Sequence, residues 1–281
     1  MKPGKAKKIT KSILIKIMIF IIVMIEVYPI FWMLTAAFKQ PAEFVTKPAY
    51  ALPDGFYVQN FIDAWTKGNM GIFFKNSLIN TLVALVFIVL FSMTIGFAVT
   101  IMEWRFKNII KEFFILGIMV PVATALLPLF QIYNKMGLTN TRLSLILTYI
   151  AFGLSLSVFL VTGYMRSLSM EILEASVIDG CGIYKMFWHI VAPLMKNAAV
   201  TVLVLQFFYK WNDLIFSMTF ISDTKLKTIQ TGLLYFQNEF GAKNWGAIFA
   251  SVSMSVLPML VLYMILNKTV IEGMTAGAVK G

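Results

Sequence analysis

Few residues in this chain have the types and spacing that chemistry requires, and most of them stand in one polar stretch. Glu174-Ala175-Ser176-Val177-Ile178-Asp179-Gly180-Cys181, followed by Ile190 and Pro193, interrupts an otherwise apolar sequence. Cys181 is the only cysteine and His189 the only histidine. A single thiol forms neither an intramolecular disulfide nor a thiolate cluster. A lone imidazole without a second ligand or an adjacent nucleophile is a packing or headgroup residue rather than a catalyst. No Gly-x-x-x-x-Gly-Lys-Ser/Thr segment occurs, so the chain has no Walker-type loop to cradle nucleotide phosphates, and an ATP-driven function needs a partner. Gly273-x-x-x-Gly277 lies in a polar tail, outside the apolar context in which that spacing pairs helices. The other polar group of note is Lys210, Asn212 and Asp213, inside an apolar run.

The elements that must position these residues are membrane helices. Of the 281 residues 59% are hydrophobic and 13% charged, about half the usual charged share of a soluble domain, and the mean hydropathy is +0.81. A spanning helix needs about 20 apolar residues, because a rise of roughly 1.5 Å per residue must cover about 30 Å of hydrocarbon. Six segments qualify: 13–38, 77–102, 113–133, 143–165, 198–221 and 245–267. They are too long, and lack the period-2 alternation, for barrel strands. The first reads as a span rather than a signal peptide, since its apolar stretch is long and no small-residue cleavage site follows. The expected fold is therefore all-α and integral to a membrane. A basic N-terminus (1–12) precedes one six-helix domain (13–267), and a tail (268–281) follows it. No internal repeat or soluble catalytic module is apparent.

Orientation follows from the basic residues. With a cytoplasmic N-terminus, six spans return the C-terminus to the same side, and more than half of the 24 Lys and Arg fall on the inside stretches. The formal charge of +11 suits anionic headgroups. No interleaved aromatic motif of the RNA-binding kind accompanies it, so no nucleic-acid partner is expected.

The polar stretch then lies in a cytoplasmic loop, 166–197, between the fourth and fifth spans. Ser169 is an N-cap candidate with Glu171 in the first turn, where the helix dipole favours an anion. A short helix is predicted to about Ile178, and Asp179-Gly180 ends it, glycine tolerating the positive φ of such a turn. A second helix follows, with Ile183, Met186, Phe187 and Ile190 forming an apolar stripe, and Pro193 ends or bends it. Physically this is an angled pair of helices that either connects two spans or docks a partner.

The residue pattern narrows the choice. Glu174-Ala175-Ser176, Gly180, nine residues to Ile190 and Pro193 three beyond resembles the EAA loop of permease subunits of bacterial ATP-binding-cassette (ABC) importers. Ser176 stands for the usual second Ala, Cys181 for the Ala after Gly, and Ala192 for Leu. The resemblance extends along nearly the whole chain to the carbohydrate branch, on the side of the maltose permease's G-type subunit. It includes Tyr28-Pro29-Ile30-Phe31-Trp32, Asn76-Ser77-Leu78, Pro128-Leu129, Asn134-Lys135-Met136-Gly137-Leu138 and Trp211-Asn212-Asp213. The ending Glu272-Gly273-Met274-Thr275-Ala276-Gly277-Ala278-Val279-Lys280-Gly281 belongs to it as well.

Membership of that family implies the six-helix type I permease fold and a multi-pass chain of the bacterial cytoplasmic membrane. It also implies a second homologous permease, an ATPase dimer that binds ATP and Mg, and an extracytoplasmic solute-binding protein. The chain itself would hold no cofactor or metal and do no covalent chemistry. Glu174, Ala175, Ser176, Asp179, Gly180, Cys181, Ile190 and Pro193 would form the coupling element, with Glu174 and Asp179 contacting the ATPase, Gly180 setting the angle and Ile183, Phe187 and Ile190 anchoring the loop. The tail, through Thr275, Gly277 and Lys280, would reach the ATPase interface or else fray in solution.

Inside the bilayer, ionisable groups usually face a cavity or a partner. Lys210 and Asp213 either neutralise each other, or Trp211, Asn212 and Asp213 line the solute pathway, where sugars favour aromatic faces and amide hydrogen bonds. Glu26 either bonds the partner permease or snorkels. The 18 Met residues suit adaptable packing in sliding helices. The expected function is thus oligosaccharide import by an ATP-driven complex. An acidic or amino sugar is the alternative solute, and a multipass membrane enzyme or proton-coupled carrier the rival class.

Overall fold

The computed structural model describes the backbone of residues 3–240 and 244–278 and the side chains of 12–234 and 244–267. Every regular element among them is helical. That follows from composition, since a backbone in hydrocarbon must satisfy its own hydrogen bonds, and only a helix does so within one segment. In chain order the helices are α1 (Pro3–Ala36), α2 (Glu43–Thr46), α3 (Gln59–Thr66), α4 (Met70–Thr100), α5 (Lys107–Ile118), α6 (Val122–Lys135) and α7 (Arg142–Met165). Then come α8 (Met170–Ile178), α9 (Ile183–Leu194), α10 (Lys196–Trp211), α11 (Ile215–Phe220), α12 (Ile229–Phe240) and α13 (Trp245–Ala278).

α1, α4, α7 and α13 are each long and apolar enough to cross a bilayer, and two bent pairs, α5–α6 and α9–α10, raise the number to six if each is one span. The third and fifth expected spans are therefore not straight rods. α5 and α6 meet at 103° and α9 and α10 at 71°. At the first break Pro121 lacks an N–H and restricts the residue before it, so the helix stops, and Pro121, with ψ 133, becomes the N-cap of α6. Thr124 Oγ1 donates to the Pro121 carbonyl at 2.8 Å and steadies the new start. The expected 198–221 span breaks at Trp211, and α11 starts after three residues, at Ile215. The last helix continues past 267 to Ala278, so the tail backbone is helical rather than frayed as far as it is described.

By internal contacts the chain divides into two compact units. The first unit comprises residues 1–70 and 233–256. Between Ser12 and Phe31 the α1 side chains are exposed on all faces, which suits lipid as solvent. Order in this unit comes from the connection after α1. Trp32 Nε1 and Lys39 Nζ both donate to the Ala49 carbonyl, at 2.7 and 3.1 Å. Buried Asn60 donates to the carbonyls of Ala37 and Lys39, at 2.9 and 2.8 Å. Glu43, also buried, accepts from the backbone N–H groups of Gln40 and Asp54 at 3.0 and 3.1 Å. These bonds, the Gln40 one foremost, together with Lys47, hold its carboxyl below the usual glutamate range against the opposing effect of burial.

The second unit comprises residues 71–232 and 257–281. Its core includes Ile88, Tyr149, Val161, Phe187, Val191 and Val202, each at most 6% exposed. Two glycines bring α4 and α7 close. A Cβ on Gly96 would lie 2.5 Å from Val161 Cγ1, and one on Gly153 would lie 2.6 Å from Ile88 Cδ1. With little hydrophobic drive between helices in lipid, such close backbone approach is how they associate. Polar side chains fasten the 222–229 connection. Asn76 Nδ2 donates to the carbonyls of Lys225 and Lys227, and Arg142 Nη2 donates to Asn76 Oδ1. Asn140 Oδ1 accepts from the N–H groups of Ser222 and Asp223, and Ser217, Thr228 and Thr231 share a buried hydroxyl cluster.

Candidate functional site

Two places in the second unit gather the sequence-predicted residues. The first is the 166–197 loop. α8 begins after Ser169, as expected, although the Ser169 side chain makes no capping bond. Leu173 and Ser176 point into the core, at 4% and 6% exposure, and Ser176 Oγ donates to the Leu173 carbonyl at 2.6 Å. The inward position explains why a small residue stands at 176. Glu174, Ala175, Val177, Ile178 and Asp179 lie on the opposite, exposed face, with Ile178 86% exposed.

The helix closes in a double hydrogen-bonded cap: Cys181 N–H donates to the Ser176 carbonyl at 2.9 Å and Gly180 N–H to the Val177 carbonyl at 3.0 Å. Gly180 has φ +73, the left-handed conformation that this cap requires. Cys181, half-buried, packs against the core.

α9 departs from the predicted stripe. Residues Phe187–Val191 form a π-helical turn, which adds a residue to the turn and rotates the face that follows. Met186, Phe187, Val191 and Met195 are buried, whereas Ile183 is 41% exposed and Ile190 half-buried. The anchor expected from Ile183, Phe187 and Ile190 is thus corrected to Met186, Phe187 and Val191. Pro193 is exposed and precedes the 71° bend at Met195. His189 is exposed on the same loop. Sequence reasoning missed the exposed apolar residues Val177, Ile178 and Tyr184, the last 84% exposed. The first two follow from placing Leu173 and Ser176 inward.

The second place is a cavity of about 310 Å³ beside the α5–α6 break, lined in part by Tyr149, Gln206, Tyr209, Lys210 and Asp213. Among the described residues Lys210 and Asp213 make no direct ion pair. Asp213 instead accepts from Tyr149 Oη at 2.8 Å and from the N–H groups of Phe216 and Ser217, both at 3.1 Å. It therefore fixes the start of α11, where the helix dipole favours a carboxylate. The Lys210 ammonium lies over the Tyr149 ring, 5.7 Å from its centroid.

Trp211 is fully buried, stacked on Phe207 and edge-on to Phe74. Asn212 is exposed. Its Nδ2 donates to the Phe208 carbonyl at 3.0 Å, and its Oδ1 accepts from Gln230 at 3.1 Å. Gln206 was overlooked in the sequence, although 206 and 210 share a helix face at i and i+4. Its Nε2 donates to the Gly153 carbonyl at 3.1 Å, while its Oε1 is buried without a partner. The side chains of Thr275 and Gly277, and all of Lys280, lie outside the described residues. No group of three or more His, Cys, Asp or Glu among the described residues is placed to hold a metal ion. The cavity can hydrogen-bond and position a polar solute, and the loop can dock a partner.

Comparison with known proteins places these features in one lineage. Residues 92–275, which include both the loop and the cavity, match the family described as the binding-protein-dependent transport system inner membrane component. The probable ABC transporter permease protein YurM of Bacillus subtilis (strain 168) is 30% identical over 265 residues, covering 94% of this chain and 87% of that one. The melibiose/raffinose/stachyose import permease MelC of the same organism is 30% identical over 274 residues, covering 97% and 98%. In fold, the chain superposes with a TM-score of 0.80 on a chain of a bacterial ABC transporter that imports the acidic polysaccharide alginate, at 17% identity and with 95% and 98% coverage. The match over most of the chain makes it a member of the binding-protein-dependent transport system inner membrane component family, a permease subunit of an ABC importer with the type I fold.

Proposed function

We propose that this permease forms half of the translocation pathway of an oligosaccharide importer and that the 166–197 loop is its mechanical coupling to a cytoplasmic ATPase. The observation that supports this best is the two-faced build of the loop. One side, through Leu173, Ser176, Met186, Phe187 and Val191, is held in the core, and the other offers Glu174, Val177, Ile178 and Tyr184 outward. An acidic group amid exposed apolar side chains, on a rigid elbow, is a docking knob. Closure of an ATPase dimer around it rocks the helices that continue from α9. ATP and Mg belong to those subunits, a second homologous permease completes the pathway, and a solute-binding protein delivers substrate on the far side. Both termini are cytoplasmic in this arrangement. The tail residues Thr275, Gly277 and Lys280 belong to the same ATPase interface in this reading.

The solute faces the cavity lined by Tyr149, Gln206, Tyr209 and Asp213, whose amide, hydroxyl and carboxylate groups match sugar hydroxyls, with Asn212 just outside that lining. MelC's own substrates are oligosaccharides, which supports the same class here. The presence of Lys210 at the cavity favours an acidic sugar as the second reading.

The test uses Ile178→Arg and Glu174→Lys in the assembled importer. At 86% exposure Ile178 contributes little to folding, so the variant should insert normally, while losing its burial against the ATPase weakens docking roughly tenfold to a hundredfold. Full ATPase co-purification and normal substrate-stimulated ATP turnover in both variants would remove the coupling role. The ligand spectrum of the cognate binding protein decides between neutral and acidic sugars.

A further inference from the structure

A second cavity, of about 500 Å³, opens at the membrane face that bears the 166–197 loop, between α5, α7 and α10. Its charged lining residues are Lys111 and Arg166. Arg166 caps the end of α7 and Lys111 lies one turn into α5, so both stand near the same end of the bundle. Neither makes an ion pair or a side-chain hydrogen bond among the described residues. Glu112, the next residue on α5, is exposed and does not line the cavity, and Glu103, before the helix, is engaged by Lys107 at 2.6 Å.

Away from the cations the wall is apolar, built from Ile115, Phe159, Leu160 and Leu205. Phe159 stands seven residues before Arg166, about 10 Å deeper along α7. Three hydroxyl-bearing residues also line the space: Thr162 donates to the Phe159 carbonyl at 2.8 Å and Thr201 to the Asn197 carbonyl at 2.9 Å, while Tyr164 stands two residues before Arg166, toward the charged end.

We propose that this cavity is a binding site for an anionic phospholipid, with the headgroup phosphate between Lys111 and Arg166 and an acyl chain along Phe159, Leu160 and Leu205. Charge at one end and hydrocarbon at the other, spaced along α7, match the polarity of a lipid. A sugar in transit needs hydrogen-bonding groups along its length, and away from Lys111, Tyr164 and Arg166 the wall offers only apolar side chains and two threonine hydroxyls already engaged by their own helices. A lipid wedged between α5, α7 and α10 also sits where the helices of the α9–α10 bend lead, so its occupancy bears on how that bend moves.

The test is native mass spectrometry of the complete importer released from nanodiscs of mixed phosphatidylcholine and phosphatidylglycerol. The wild-type complex should retain phosphatidylglycerol in preference to phosphatidylcholine. Lys111→Gln/Arg166→Gln should lower that retention about thirty-fold, the product of two cations at their usual strength toward anionic headgroups. Gly163→Leu is the second variant, because Gly163 lines the cavity and a Cβ there meets nothing within 4 Å. It should fill the acyl wall and expel the lipid with both cations intact, and it decides the matter if the charge variant fails to assemble. Equal retention by wild type and variants overturns the proposal, as does equal retention of the two lipids. Displacement of the lipid by millimolar inorganic phosphate or glucuronate would make this a small-anion site and overturn it too.

Discussion

Replacing Gly180 gives the sharpest test of how the loop is built. Its φ of +73 lies in the left-handed region, and a Cβ there meets nothing within 4 Å. Steric contact within the chain therefore contributes nothing, and the whole cost of Gly180→Ala is backbone strain, about 1–2 kcal/mol. That cost competes with the two cap hydrogen bonds from Gly180 and Cys181, so the population holding the native elbow falls by a factor of about 5–30. Asn tolerates this conformation better than any other residue bearing a side chain. Gly180→Asn should consequently retain most of the function, even though its side chain is larger than that of Ala. The assay is substrate-stimulated ATP turnover of the reconstituted importer, with ATPase co-purification in parallel. The order wild type, Asn, Ala, Val supports strain as the cause. If activity instead follows side-chain size, with Ala above Asn, the left-handed cap is not what glycine supplies here, and the reasoning fails.

Three further outcomes follow from the packing. Gly153→Ala should cost about 1–3 kcal/mol, because its Cβ would lie 2.6 Å from Ile88 Cδ1 and 3.1 Å from Gln206 Oε1. Thermal unfolding in detergent should show a Tm lower by several degrees, partly restored by adding Ile88→Val. Asp213→Ala removes the cap of α11, worth about 0.5–2 kcal/mol, and strands the Tyr149 hydroxyl, so its Tm should fall below that of Asp213→Asn, which keeps an acceptor oxygen. Glu43 has its folded pKa below the ordinary value of 4.5, so its contribution is present above that pH and is lost as pH falls through the lower folded value. Amide exchange in residues 40–54 should speed up on acidification below about pH 4.5 in the wild type, and Glu43→Gln should lack that pH dependence.

Much of this was legible in the apolar runs. α4, α7 and α13 follow directly from uninterrupted apolar stretches, and the α8 cap from Asp179-Gly180. The breaks were less visible. Pro121 stands inside a charge-free segment whose length alone argues for one straight span, and only the geometry at Pro121 shows the helix starting afresh. The π-helical turn at Phe187–Val191 has no signature in a 3.6-residue pattern, so Ile183 was read as an anchor and Val191 was not. Trp211 stands beside Asn212 and Asp213 and reads as part of a polar face. Its burial depends on Phe74, which lies far away in the sequence. Lys210 and Asp213 look like a pair by spacing, yet the Tyr149 hydroxyl and two backbone N–H groups engage the carboxylate instead.

The broken helices also set where the molecule can yield. Along α4 and α7, Gly96 and Gly153 seat Val161 and Ile88 against bare backbone, so sliding one helix past the other means unseating both contacts at once. At Met119–Pro121 and at Met195 the regular ladder of helical bonds is already interrupted, and bending there forfeits almost nothing more. The two bends are thus places where yielding costs little, and the glycine-seated seam is a place where it costs more. The joint at Pro121 stands beside the polar cavity, so a bend there changes the shape of that space.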